Sequence, residues 1–207
     1  MTTNLLHPYI RNAQQLEVPG HAEAIVDLND VYAAFHVIER QENIRETIEI
    51  LDVFTASTIE DTGIKVLRLE RNLDGIRYFV HKITLHGDNE PGHYHSAAMA
   101  IRILKGGYQQ RIEHVNRTNA AVRKLSPSID NVVQCTEGDF IGMPVTMGHT
   151  LLCNEPDQVS WSFGIRGPKK LEMPTIKSIP PQHTVEQIFR AEAKKILTSY
   201  YCSSSSS

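Results

Sequence analysis

Apolar spacing divides the chain into a helical start, a long strand-forming middle and a helical end. Residues 1–20 show no clear period and contain Pro8, Pro19 and Gly20, which predicts an extended arm or loose turns. Over residues 21–40, Val31, Ala34, Phe35 and Ile38 recur at helical spacing, and Asn29 reads as the N-cap. Ile44, Ile48 and Leu51 repeat the stripe in a second helix, with Arg45, Glu46 and Glu49 on its wet face. The helical pattern fades near Thr55-Ala-Ser-Thr58.

From Gly63 the period shortens to two. Ile64–Arg71 alternates, Asn72-Leu-Asp-Gly75 reads as a hairpin turn, and Ile76–Leu85 is the next strand. A polar loop, Gly87–Gly92, follows. Ala97–Leu104 and Tyr108–Val115 are predicted strands around a turn at Lys105-Gly-Gly107. Ala120–Leu125, Asn131–Cys135, Gly138–Ile141, Gly148–Cys153 and Val159–Ile165 add further short strands. Short strands at even spacing, separated by Gly, Pro, Asn and Asp, predict an antiparallel sandwich or barrel.

A proline-rich exit with Pro168, Pro174, Pro180 and Pro181 leads to a last helix. Thr184 and Gln187 have capping-box spacing, and Val185, Ile188, Phe189, Ile196, Leu197 and Tyr200 form an apolar stripe. That stripe needs a partner surface, the barrel or a second copy, so a homodimer is one expectation. The expected layout is a helical region over 1–60 packed on the barrel, a barrel over 61–168, an extension and helix over 169–202, and a disordered serine tail over 203–207.

Composition narrows the class. With 207 residues, 41% hydrophobic and 22% charged, the chain reads as an ordinary globular protein. A net charge of -3 supplies no basic face for nucleic acid. No apolar run approaches the roughly 20 residues that span a bilayer. The N-terminus lacks a basic region followed by an apolar core, and Cys135, Cys153 and Cys202 form no pairing pattern. The expectation is a cytoplasmic protein whose partners are small molecules, not nucleic acid or membrane.

The candidate chemistry lies in histidines. His93 and His95 are one residue apart, so in an extended segment both point to one face, and His149 follows Gly138-Asp-Phe-Ile-Gly-Met-Pro144. Two imidazoles on one face are the geometry of a shared metal. His81 and His86 read as surface residues, with support of the metal ligands as the alternative, and Tyr108, Gln110 and Trp161 as core packing or surface, with cavity lining as the alternative.

These segments resemble the two motifs of the cupin superfamily. Gly87, His93, His95 and Gly106 or Gly107 match the first, and Gly138, Pro144 and His149 match the second. The glutamate of the first motif falls on Met99 or Ala100, and Thr146 and Cys153 depart from the second. The resemblance, over about residues 64–166, implies a mainly β fold: a double-stranded β-helix of the jelly-roll type with N-terminal helices and a C-terminal helix. A three-histidine site without a carboxylate is similar to that of the cysteine-dioxygenase-type thiol dioxygenases. That likeness implies Fe(II) held by His93, His95 and His149, and a small carboxylated thiol oxidised with O2 to a sulfinate.

Other residues bear on the same branch. Arg71-Asn72-Leu73 matches a segment whose arginine binds the substrate carboxylate. Glu155-Pro156 and Ser162 match later positions. The histidine and tyrosine that complete a relay with that serine are Gly164 and Arg166 here. Arg166 puts a fixed cation at the phenol position, able to bind a second carboxylate. A different three-histidine cupin chemistry (oxidative decarboxylase, lyase or isomerase) and a non-enzymatic ligand-binding cupin are the alternative expectations.

Overall fold

The computed structural model describes residues 22–73, 76–87, 92–115, 125–145, 147–153, 155–168 and 177–202. The arm over 1–20, much of the Pro-rich exit and the serine tail fall outside them, as do Asp74 and Gly75 of the expected hairpin turn.

Two helices, α1 (Ala22–Ile38) and α2 (Gln41–Glu49), open the described chain, and a short 3-10 turn over Ile50–Val53 leads out of them. Ten strands follow: β1 (Thr55–Asp61), β2 (Ile64–Leu73), β3 (Ile76–Leu85), β4 (His93–Tyr94), β5 (Met99–Lys105), β6 (Gly107–Val115), β7 (Leu125–Thr136), β8 (Phe140–Met143), β9 (Met147–Leu152) and β10 (Gln158–Arg166). Helix α3 (His183–Cys202) closes the chain.

The strands form two antiparallel sheets, ordered β1-β2-β3-β10-β5-β8 and β4-β9-β6-β7. Counted from β3, one sheet takes the first, eighth, third and sixth strands, and the other takes the second, seventh, fourth and fifth. This is the interleaved order of a jelly roll, the cupin-type double-stranded β-helix. Strands β1 and β2 extend the first sheet.

Strand alternation builds two cores from one sheet. Ile64, Phe79, Ile83, Met99, Ile101, Ile103, Tyr108, Ile112, Met147 and Leu151 pack between the sheets. Leu69, Val80, Ala98, Ala100, Leu104, Trp161, Phe163 and Ile165 face the other way and meet α1, α2 and α3 through Val31, Phe35, Ile38, Ile44, Phe189, Ala193 and Leu197. The helices therefore cover the outer face of the six-stranded sheet, as the apolar stripe of α1 predicted.

Several elements differ from expectation for identifiable reasons. Asn29 lies inside α1, not at its start, so it is not the N-cap. β1 begins at Thr55, inside the stretch read as helical. Its buried positions are the polar Ser57 and Thr58, which hides its alternation from a hydrophobic pattern. The strand expected at Asn131–Cys135 is part of the longer β7, and most of the one expected at Ala120–Leu125 lies outside the described residues. In α3, Thr184 is already helical, and Gln187 bonds the His183 ring at 3.0 Å in place of a capping box. Val185 and Ile188 remain exposed, at 37% and 56%, because the docked stripe starts at Phe189.

Polar contacts fasten the helices to the barrel. Arg102 of β5 donates to both carboxylate oxygens of Glu39, at 2.8 and 2.7 Å, and Tyr201 of α3 donates to the same carboxylate at 2.7 Å. Arg190 of α3 donates to the carbonyls of Leu51 and Phe54 at 2.7 and 2.6 Å, satisfying the end of the 3-10 turn. Between β5 and β6, Gly106 has φ 74°, and a side chain there would run into the Val159 carbonyl.

The Glu39–Arg102 pair is bidentate and shielded, so removing one partner strands a charge. Glu39→Ala is expected to cost about 3 kcal/mol in urea unfolding, and Glu39→Ala with Arg102→Met less than the sum of the single changes.

Candidate metal centre

The two-residue strand β4 sets the site. It pairs with β9 so that His93 lies directly opposite His149. His149 is 5% exposed and shares its face with Met147 and Leu151 of the inter-sheet core. His95, two residues beyond His93, brings its ring to the same point.

His149 Nε2 lies 3.1 Å from His93 Nε2 and 3.1 Å from His95 Nε2. The three residues form a group able to hold a metal ion. A separation of 3.1 Å fits neighbouring ligand positions on one ion with metal–nitrogen bonds of about 2.0–2.1 Å. The Gln110 oxygen, 2.9 Å from His149 Nδ1, only accepts, so Nδ1 carries the proton and the Nε2 lone pair faces the cluster. Burial, reinforced by the neighbouring imidazoles, holds His95 and His149 well below the usual histidine range. Neutral imidazole is the form a metal needs.

The first sheet supplies the opposite wall. The β2–β3 register runs unbroken from Ile64↔Leu85 to Leu73↔Ile76. Ile64 and Val66 pack between the sheets, whereas Leu67 and Leu69 pack toward the helices. Alternation therefore turns Arg68 and Glu70 toward the histidines' side, and Arg71 away from it. Arg71 makes no hydrogen bond or ion pair with a described residue, and this register does not bring it to the histidines. Its match to the family segment holds in sequence while its face does not.

Cross-strand neighbours define the wall in rows. Ser57, Arg68, His81, Ser162 and Ile103 lie side by side across β1, β2, β3, β10 and β5. In the next row Glu70, Phe79, Gly164 and Ile101 are neighbours, and beyond it Arg77, Arg166 and Met99. Ser162 is 1% exposed and lies opposite His81.

Arg166 comes to the metal group. Its Nη2 lies 3.4 Å from His95 Nδ1, and Nε and Nη2 lie 3.4 and 3.3 Å from the Met99 sulfur. Of the two candidates for the motif's glutamate position, Met99 is the one facing inward, and its thioether contacts the arginine. No carboxylate contacts Arg166 among the described residues. Burial, with Arg77 and Arg68 adding, lowers its pKa to about 10, so it is cationic at neutral pH.

Gly164 has a steric cause. A Cβ there would meet the Phe79 ring at 2.6 Å and the Ala100 carbonyl oxygen at 2.6 Å. The aromatic side chain of β3 fills the volume where the relay histidine would stand.

For two residues the structure favours the less expected of their readings. His81 is a wall residue, stacked on Phe79 at 4.4 Å and held well below the usual histidine range by burial, Arg68 and Arg166. Gln110 is 1% exposed and orients His149. The available signal was alternation itself: His81 shares the period of Phe79 and Ile83, and Gln110 that of Tyr108 and Ile112. Trp161 faces the helices, where Lys82 sits 5.2 Å over its ring. A cavity of about 650 Å³ opens on that outer side, lined in part by Leu104, Trp161, Glu192 and Tyr200, and none of the three histidines lines it.

No protein-family model and no curated protein sequence matches the chain. Among solved structures, it is similar to a cupin 2 conserved barrel domain protein from Rhodopseudomonas palustris, with 12% identity, 70% of this chain and 88% of that chain covered, and a TM-score of 0.41. It is also similar to hydroxypropylphosphonic acid epoxidase from S. wedmorenis, at 8% identity over 56% of each chain and a TM-score of 0.42. The Schizosaccharomyces pombe Cnp3 cupin domain matches at 10% identity, 64% and 74% coverage, and a TM-score of 0.37. Likenesses this distant assign no activity. A jelly-roll fold with three histidines able to hold a metal ion is what the structure shows.

Two outcomes follow from the site. Gln110→Ala is expected to weaken metal binding roughly tenfold or more in chelator competition, while His149→Ala abolishes it. His81, His95 and His149 have folded pKa values below the unfolded one, so their neutral burial is fully stabilising above about pH 6.5. Unfolding takes up protons below that pH, so metal-free protein should lose stability as pH falls from 6.5 toward 5. Urea midpoints measured across that range check the sign, and His81→Asn should flatten the slope.

Proposed function

We propose that the chain is a non-heme Fe(II) oxygenase that oxidises a small carboxylated thiol, with Arg166 as the carboxylate anchor. The carrying observation is a cation beside the three-histidine group that no carboxylate of a described residue contacts. Three neutral imidazoles bring no negative charge to the metal, which favours an anionic ligand such as a thiolate. Bound there, Fe(II) would supply the site that joins thiolate and O2, with both oxygen atoms carried to sulfur as a sulfinate.

The chain's own residues do the rest. His149 is fixed by Gln110, so one ligand is preoriented before the ion arrives. A ligating His95 Nε2 leaves the proton on Nδ1, which then has no lone pair for Arg166. The guanidinium loses its one imidazole contact and offers its fork to a carboxylate. A substrate held at Arg166 has its thiol directed to the adjacent histidine face, so binding energy becomes positioning. Met99, Ile101 and Phe79 form an apolar surround that excludes water from the reacting centre.

The filled space at Gly164 favours one second reading. Without a relay histidine and tyrosine, the same centre serves another oxidative or lyase reaction on an anionic substrate. Oxygen uptake with iron-loaded protein and a panel of carboxylated thiols separates the two. The expected result is thiol-dependent uptake and a product heavier by two oxygen atoms; no uptake with any thiol would leave only the second reading. Arg166→Met is expected to raise KM about tenfold or more, the effect of losing a charge-assisted pair. Arg71→Ala is expected to change it less than threefold, because its strand face points away, and a large loss there would restore Arg71 as the anchor.

A further inference from the structure

Arg166 is not the only cation on its wall. Arg77 lies directly opposite it across the β3–β10 ladder, and Arg68 shares their face on β2. Like charges directly opposed on a sheet are destabilising unless something answers them. The carboxylate that contacts this group is Glu70, and its contacts are indifferent: Oε2 lies 3.3 Å from Arg68 Nε and 3.8 Å from Arg77 Nη1. That oxygen is buried and has no well-formed hydrogen bond. Among the described residues, three guanidinium charges against one carboxylate leave two positive charges on this wall, next to a metal group with only neutral ligands.

The donors are largely unspent. Arg68 uses Nε on Ser57 Oγ at 3.2 Å and on Glu70, and neither of its Nη groups bonds a described residue. Among the described residues Arg77 makes only the long Glu70 contact, and its side chain is 43% exposed, so it stands where the wall meets solvent. His81, on the same face as Arg68, hydrogen-bonds no described residue. Unused donors of one sign on adjacent strands match a ligand with acceptors at both ends.

We infer that Arg77 and Arg68 form a second anion subsite beside Arg166, so the ligand is a small dianion, a dicarboxylate carrying the reacting group between its acids. This rests on the reading of Arg166 as a carboxylate anchor. Arg166 takes the acid nearest the histidines. Arg77, assisted by Arg68, takes the other, and Glu70 competes with it for those donors. Monocarboxylates fill the first position and leave Arg77 and Arg68 without a second acid.

Calorimetric titration of the full chain loaded with Fe(II) under anaerobic conditions, with succinate and with butyrate, tests this without any reaction, since neither probe carries a thiol. Succinate is expected to bind at least about tenfold more tightly, the contribution of one added charge-assisted pair. Arg77→Gln should bring succinate down to the butyrate level and leave butyrate unchanged. Glu70→Gln should tighten succinate severalfold by releasing both arginines. Equal affinities in the parent chain, or an unchanged preference in both Arg77→Gln and Arg68→Gln, would overturn the second subsite. If no thiol is oxidised yet the succinate preference stands, the proposed reaction fails and this subsite does not. If a monocarboxylated thiol is oxidised and succinate gains nothing, the subsite fails and the reaction stands.

Discussion

Strand register is the constraint on which this site depends. Along β2, β3, β10 and β5 the ladders run as antiparallel pairs, and each side chain belongs to one face only. A one-residue slip would exchange the two cores, carrying Leu69 and Val80 into the chamber and Arg68 and His81 under the helices. The two apolar sets prevent it, because each is complete on its own side. Arg102–Glu39 and Arg190 with the Leu51 and Phe54 carbonyls hold the helices against the outer set. The helices thus act on the site indirectly, by fixing which face of the sheet is inside.

The same constraint explains what could be read from the chain. The jelly-roll class, the helix stripe of α1 and the histidine group all rest on local spacing or on a motif, and spacing survives folding. Arg71 shows where that logic stops. Its sequence neighbourhood matches the family segment, yet its face is set by Ile64 and Val66 on one side and Leu67 and Leu69 on the other. The residue on the chamber side is Arg68, three positions earlier and without a motif. His81 was read as a surface residue because a lone histidine usually is one. Its partners, Ser162 and Arg68, are distant in sequence and meet it only through the ladders.

β1 and α3 illustrate the other limit. β1 buries Ser57 and Thr58, so its alternation is of size and contact and not of hydropathy. In α3 the apolar stripe was extended to Val185 and Ile188 by composition, whereas docking begins at Phe189, where the helix reaches the barrel wall. Periodicity identifies a face without saying how much of its length finds a partner.

Charge ties the outer wall to the metal group. A carboxylate at the Met99 position would have answered both the ion and Arg166, and the wall would then be close to balanced. A thioether answers neither, being a weak acceptor without charge. Phe79, filling the space at Gly164, removes a further polar group from the same surface. Met99 and Phe79 therefore shift the chamber in one direction, toward a positive interior that the described residues neutralise only in part. Low local dielectric makes such an imbalance costly while the chamber is empty and favourable once an anion enters. On the proposed reading these features are coupled: Met99 in place of an acid, Phe79 against Gly164 and the Arg166 cation all make the ligand's own charge part of the site.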